Sequence, residues 1–286
     1  MTTQSFSNHS FGPARATKRG LAGRKLALRK EWLSQEAAYM YQHEKEGFGP
    51  RHYERADMAD LGFDVVKHNP DDALKAAMEV FKEPGGDNTL TLFADASLTK
   101  ELQPLAGVGV VRVDQREDSD GVSLGKDGKR KAYKLRAVAS QKLTDASRGD
   151  NCPSPAPRFT STEGELWSYL LALHYAVAHC SSRTAVMATG QVVSTVSHVR
   201  LFGDSFDGLR EMRFYKEGGS EWVSYRHRYL LSEILWCAQE LKRLSVYVKA
   251  LWVPSHRGVP GNEAADHIAF REAHSIYWSD QDLNMF

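Results

Sequence analysis

Asp95, Asp204, His256, Glu263 and Asp266 are the side chains whose types and placement could do chemistry, with Glu163 and Glu165 beside them. Asp95 closes the stretch 89–97, in which Leu90, Leu92, Phe93 and Ala94 make a nearly continuous apolar run. Such a run reads as a strand covered on both faces. An acid at the mouth of a buried strand is costly unless it meets a cation or a hydrogen-bond donor. Taken alone, a bond to the following turn satisfies Asp95; the functional reading needs three more acids at the same place. Asp204 ends a second apolar run, 196–203. His256 sits in a polar loop after a third, 245–253. Glu263 and Asp266 follow at the start of a helix, three apart and so on one face of its first turn. The helix dipole favours acids there in any case. Thr162-Glu163-Gly164-Glu165 reads two ways. It is a capping box in which Glu165 reaches back to the N-cap amide, or it delivers an acid to the others.

The elements that must position these groups begin near residue 88. Residues 89–95, 107–113 and 132–143 read as three strands joined by polar connections, an antiparallel meander. The link 114–131 is long for a hairpin. A helix follows from Thr162, with Leu166, Leu170, Leu173 and Val177 as its buried stripe. Strand 196–203, helices 205–214 and 225–243, strand 245–253 and a closing helix 262–273 with Asn262 as its cap complete the order. Helical crossovers make the first, fourth and fifth strands parallel, with an antiparallel pair at one edge. Sites in such sheets form at the carboxyl ends of the parallel strands, where Asp95 and Asp204 lie.

In front of this unit, residues 31–45 read as a helix with Trp32, Ala37 and Tyr41 on its apolar side. Asn69-Pro70-Asp71-Asp72 starts another, whose Leu74, Met78 and Phe81 repeat at helical spacing. Residues 1–30 carry seven basic residues and no acid. That composition suits a solvated tail, a basic arm or nuclear signal, or a mitochondrial presequence. The expected organisation is a basic tail 1–30, a helical extension 31–86, the α/β domain 87–275 and a C-terminal tail 276–286.

The chain has 286 residues, 42 % hydrophobic and 26 % charged, the composition of a globular protein with room for one large domain. A net charge of +1 leaves any nucleic-acid argument to local patches. One such patch is Lys126, Lys129, Arg130, Lys131, Lys134 and Arg136 against a single acid, Asp127; a solvated hairpin tip is the alternative. Cys152, Cys180 and Cys237 lie far apart without metal-ligand spacing, as free thiols do. No apolar run approaches a transmembrane span, and the N-terminus has no apolar signal core. The expected setting is intracellular, nuclear or cytoplasmic with mitochondria as a further option, without a membrane or a stable protein partner.

Four blocks of this sequence resemble type 1 ribonuclease H: Leu92-Phe93-Ala94-Asp95-Ala96-Ser97, Glu163-Gly164-Glu165-Leu166, Phe202-Gly203-Asp204-Ser205, and the H-x(6)-E-x-x-D run from His256 to Asp266. They occur in the family's order over about residues 88–273, and the closing block is most similar to the ribonuclease H domains of fungal non-LTR retrotransposons. The resemblance implies an α/β, ribonuclease H-like fold: a five-stranded mixed sheet flanked by helices. It implies a two-metal endoribonuclease that cuts the RNA strand of an RNA–DNA hybrid and leaves 5′-phosphate and 3′-hydroxyl ends. Asp95, Glu165, Asp204 and Asp266 would be the catalytic ligands of two Mg²⁺ ions, with Mn²⁺ able to substitute. Mg²⁺ takes oxygen ligands and keeps waters, so a few carboxylates and a phosphate complete its shell. His256 matches a proton-shuttling histidine and Glu263 an auxiliary acid. Ser97, Ser161, Thr162 and Ser205 would touch nucleic acid, and Arg226, Arg228, Lys242 and Arg243 read as phosphate contacts or equally as solvated faces. Two departures stand out. Phe206 occupies a place where a glutamine is common, and Ser161 and Thr162 stand where an asparagine is common. A non-cutting nucleic-acid-binding module of the same fold, or a nuclease for DNA or double-stranded RNA, is the alternative.

Overall fold

The computed structural model describes residues 61–66, 69–82, 88–99, 105–116, 132–144, 159–218 and 223–286. The basic N-terminal segment, the expected helix 31–45, Cys152 and the Lys126–Lys131 part of the basic patch lie outside the described residues.

The strands are β1 (Phe63–Val66), β2 (Thr89–Leu98), β3 (Ala106–Gln115), β4 (Tyr133–Leu143), β5 (Thr184–Val186), β6 (Val192–Ser194), β7 (His198–Gly203) and β8 (Tyr247–Trp252). The helices are α1 (Pro70–Lys82), α2 (Ser161–Ser181), α3 (Phe206–Lys216), α4 (Arg228–Arg243) and α5 (Pro260–Ala273). A 3₁₀ turn, Tyr225–His227, precedes α4, and another, Asp280–Met285, closes the chain. One mixed sheet runs β1-β8-β7-β2-β3-β4, with β1, β8, β7 and β2 parallel and β3 and β4 antiparallel at the far edge. β5 and β6 form a separate two-stranded ribbon.

This is the α/β arrangement expected from the sequence, a mixed sheet flanked by helices, with one correction: among the described residues the sheet has six strands in place of five. The additional strand, β1, lies within the segment read as helical and pairs in parallel with β8, Val66 opposite Leu251. It is only four residues long, and Phe63 alone of the four is buried, so no alternation betrays it. α1 starts as expected. Asn69 Oδ1 accepts the amide of Asp72 at 2.9 Å, as an N-cap does. Its buried side is Ala73, Ala77, Val80 and Phe81, with Leu74 and Met78 half-buried against the same core.

Helices cover both faces of the sheet. α2 and α4 enclose one core around Leu92, Tyr169, Leu173, Leu201 and Ile234. α1 and α5 enclose the other around Phe81, Phe93, Phe202 and Ile268. α5 lies against β3 so closely that a Cβ on Gly109 would meet the carbonyl of Ala265 at 2.6 Å. Glycine in the strand facing alanine in the helix is what lets a helix backbone approach a sheet to this depth. It lays the first turns of α5 over the end of β2. Beneath them Phe93 stacks on Phe202 at 4.7 Å and on Phe81 at 5.5 Å. Phe93 is fully buried, so Phe93→Ala is expected to cost about 3–5 kcal/mol. Denaturant unfolding would read this as a lower midpoint at unchanged m-value.

Cys180 and Cys237 are free and buried. Burial pushes their thiols up to about 11 and about 12, so both are inert apolar fillers. No helix among the described residues is long and apolar enough to cross a membrane.

Candidate active site

The parallel strands place their carboxyl ends together. The register sets Phe93 of β2 beside Phe202 of β7, and Gly203 beside Trp252 of β8. Asp95 and Asp204 therefore leave neighbouring strands side by side. Glu165 comes from the first turns of α2, which crosses β2 on one face. One ligand oxygen from each of Asp95, Glu165 and Asp204 lies within 4.8 Å of the other two.

Asp266 arrives from α5, on the other side of β2. It is half-buried, and its charge raises the pKa of Asp95, Glu165 and Asp204 alike. Three of the four acids expected from the sequence thus meet within 4.8 Å, and Asp266 lies near enough to act on them through its charge.

Each carboxylate is held. Asp95 is 4 % exposed, and its Oδ1 accepts the amide of Ala96 at 2.7 Å. Asn262 Nδ2 donates to Asp204 Oδ2 at 3.5 Å, and Trp252 Nε1 donates to the Asp204 carbonyl at 2.9 Å. Glu165 hydrogen-bonds Asp95, which favours the charge on Asp95 and the proton on Glu165. The other oxygen of Glu165, Oε2, is buried without a hydrogen-bond partner among the described residues.

Burial comes first among the causes that push Asp95 and Glu165 well above the ordinary carboxylate values, followed by the neighbouring acids. Asp204 is raised by burial and by Asp266, and eased by Asn262 and by the charge of His256. A close set of buried carboxylates with an orphaned oxygen is a poor arrangement for a bare protein and a good one for a divalent cation. The residues fit a metal, and Asp95, Glu165 and Asp204 form an acidic triad able to hold one.

The capping reading of Glu165 fails on geometry. α2 is capped by Thr160, whose side chain accepts the amide of Glu163 at 3.0 Å. Thr162 lies inside the helix, and Glu165 is too far along it to reach back. Glu163 is the buried neighbour, 4.0 Å from Arg226. His256 is exposed and takes a left-handed backbone, φ 52°, in the loop beside Asp204. Glu263, half-buried in the first turn of α5, folds back toward that loop, where a Cβ on Gly258 would meet its Oε1 at 4.0 Å.

The expected nucleic-acid contacts divide. Ser97 lies two residues past Asp95 on the same side of β2, half-buried. Ser161 and Thr162 open α2 on the same rim. Ser205 is the N-cap of α3, its hydroxyl accepting the amide of Gly208 at 3.1 Å. Arg226 turns inward to Glu163, with its side chain 14 % exposed. Arg228 begins α4 and is half-buried. Lys242 and Arg243 end α4 just before β8 begins, at the end of the sheet away from the acids. Lys134 and Arg136 lie level with Asp114 and Arg112 of β3, also away from Asp95, and Arg136 stands 3.6 Å from Asp114.

Two contributors went unread in the sequence. Asn262 does not cap a helix, because α5 starts at Pro260; its amide steadies Asp204 instead. Proline's preference for the first helical position was the available signal. Tyr169 lies one turn past Glu165, fully buried. Burial and then the charges of Glu165, Asp204 and Asp95 push its phenol well above 10, so it stays a neutral hydroxyl. Gly203 makes room for it: a Cβ there would lie 2.4 Å from the Tyr169 hydroxyl oxygen. The i, i+4 spacing from Glu165 was its only trace in the sequence.

No protein-family model matches the chain. No curated protein matches it. Among solved structures it is similar to a foamy viral protease–reverse transcriptase in complex with an RNA/DNA hybrid, at 15 % identity and TM-score 0.41 over 65 % of this chain and 20 % of that one. It thus spans about a fifth of the viral chain's length. It is similar to RNase H1 from the halophilic archaeon Halobacterium salinarum NRC-1, at 17 % identity and TM-score 0.33 over 65 % of this chain and 98 % of that one. It is also similar to LC9-RNase H1, a type 1 RNase H with the type 2 active-site motif, at 21 % identity and TM-score 0.36 over 68 % of this chain and 75 % of that one.

Proposed function

We propose that the protein is a divalent-metal-dependent endoribonuclease that hydrolyses the RNA strand of RNA–DNA hybrids, with Mg²⁺ as its ion. The observation that carries this reading is the meeting of Asp95, Glu165 and Asp204 within 4.8 Å at the carboxyl ends of two parallel strands. The order of the four acid blocks along the chain supports it. The closing block further supports kinship with the ribonuclease H domains of fungal non-LTR retrotransposons.

Asp95, Glu165 and Asp204 would hold the metal, and Asp266 would complete the negative pocket from α5. When bound, a pair of Mg²⁺ ions supplies Lewis acidity at the scissile phosphate and makes water easier to deprotonate. The chain's own groups do the rest. The Ala96 amide and Asn262 orient carboxylate oxygens of Asp95 and Asp204, and Trp252 holds the Asp204 backbone, so little reorganisation accompanies reaction. Tyr169 and the surrounding core keep water from the inner side of Glu165. His256, on its exposed loop, moves a proton at the departing 3′ oxygen. Ser97, Ser161, Thr162 and Ser205 rim the acids where the 2′-hydroxyls and phosphates of the substrate would pass. A protein reads an RNA strand through such hydroxyls.

The test is incubation of purified protein with end-labelled hybrid, duplex RNA and duplex DNA, each with Mg²⁺ or with EDTA. Cutting confined to the RNA of the hybrid, leaving 5′-phosphate and 3′-hydroxyl ends, is the expected result. Cutting of either other duplex in its place reassigns the substrate, and no cutting of any overturns the assignment.

His256→Ala is expected to lower kcat about 10- to 100-fold with little change in KM, since an exposed loop base contributes at the low end of its class. Steady-state kinetics across pH would show it. A loss as deep as that from removing an acid would give His256 a different role.

A further inference from the structure

An apolar cleft beside the acids has no part in the carboxylate chemistry. It opens at the same end of the sheet, between the last residues of β1, the end of β8 and the first turns of α3. Val65 and Val66 of β1 and Trp252 of β8 line it together with Phe206, Leu209 and Phe214 of α3. Its volume is about 170 Å³. An apolar cavity of about 150 Å³ holds a benzene ring, so the space suits one planar ring and excludes a base pair.

Phe206 borders the cleft with 40 % of its surface exposed. It meets Trp252 edge to face, 6.4 Å between centroids and 87° between planes. Arg210 and Arg213 also line it. Arg210 stands 2.6 Å from Asp207, and Arg213 stands 2.8 Å from Glu217. Part-exposed ion pairs of this kind are worth little, so both guanidinium groups can turn to a phosphate at small cost. The cleft is also tied to the acids. Trp252 donates its indole N–H to the Asp204 carbonyl at 2.9 Å, and Phe206 follows Asp204 by two residues.

We infer that this cleft takes one unpaired nucleobase, set against Phe206 and Trp252 with its face to one ring and its edge to the other, from a single-stranded nucleotide continuing the strand held at the acids. Its phosphate lies toward Arg210 and Arg213. The inference rests on the nucleic-acid reading of the acid site and adds to it a preference for hybrids that end in, or adjoin, single strand. Phenylalanine in the place where a glutamine is common, and the β1 wall, are the features that build the cleft.

The test uses the full chain with Ca²⁺ in place of Mg²⁺. Affinity is measured by fluorescence anisotropy for a blunt hybrid and for the same hybrid with a short single-stranded overhang, carrying 2-aminopurine at each overhang position in turn. The overhang is expected to tighten binding roughly 5- to 150-fold, the range for one stacked base. One position alone should be quenched. Phe206→Ala, a change at a partly exposed site, and Leu209→Trp, which fills the cleft, should each bring the two affinities together and restore the emission. Equal affinities in the wild type, or an overhang advantage that survives both substitutions, would overturn the inference.

A second arm does not depend on hybrid cleavage. A single strand carrying 5-iodouracil, irradiated on the protein, should label Phe206 or Trp252. Labelling elsewhere or none, with hybrid still cut under Mg²⁺, removes the cleft assignment alone. Labelling at the cleft without any hybrid cutting removes the nuclease reading alone, and neither labelling nor cutting removes both.

Discussion

Asp95→Asn and Asp204→Asn are each expected to slow hybrid cleavage about a thousandfold or more, while the protein without metal becomes more resistant to heat. The first effect follows from groups that act as a unit, in which losing one member costs nearly as much as losing all. The second follows from the sign of the pKa shifts. Burial, then Asp204 and Asp266, raise Asp95 above its ordinary 3.8. Burial, then Asp95, Asp204 and Asp266, raise Glu165 above its ordinary 4.5. Below those ordinary values the acids are neutral in the folded and unfolded chain alike, and the cluster carries no ionisation penalty. As pH rises through them the unfolded chain ionises first, while the folded chain keeps its protons until the raised values are passed. The metal-free fold therefore loses stability across that window, and the loss is complete above the raised values. An asparagine in place of Asp95 keeps the oxygen that accepts the Ala96 amide and takes away one charge. Melting curves of wild type and both variants in EDTA, from pH 4 upward, would show the variants higher at neutral pH and the curves converging toward acid. Variants that melt lower at neutral pH would mean that these acids serve folding rather than metal.

Removing the metal is expected to stop cleavage altogether, and restoring Mg²⁺ or Mn²⁺ to recover it. Because the folded chain alone gathers the acids, a bound ion stabilises it by mass action, about 2.7 kcal/mol at a hundredfold excess over Kd. The stabilisation should grow as pH rises from the ordinary carboxylate values, since the ion competes with the protons that Asp95, Glu165 and Asp204 otherwise retain. Thermal melts with and without Mg²⁺ at several pH values, run beside the cleavage assay, would show both effects. Cutting that persists in excess EDTA would remove the metal from the account.

The acids at strand ends were legible because a buried strand is a continuous apolar run and a carboxylate closing it has few tolerable partners. The placement of Asp95 and Asp204 followed from that, while a role as ligands needed the other acids in register. Glu165 was ambiguous, since the same four residues also spell a cap. Only the fold shows that Thr160 starts the helix and frees Glu165 for the site. Asp266 was readable as a helix-start acid, but its approach to β2 depends on the glycines of β3 and the alanines of α5, which meet across a hundred and more residues of sequence. β1 was hidden for the same reason. Four residues carry no period, and β1's partner lies near the other end of the chain. The Asn262 contact with Asp204 was masked by a misplaced helix start, and Tyr169 by its looking like one more core residue.

The most direct test is anomalous diffraction from crystals of the protein grown with a hybrid and soaked in Mn²⁺. Anomalous density bounded by the oxygens of Asp95, Glu165 and Asp204 is expected, with a second peak toward Asp266. Saturating Mn²⁺ that leaves this cluster without density would contradict the metal assignment.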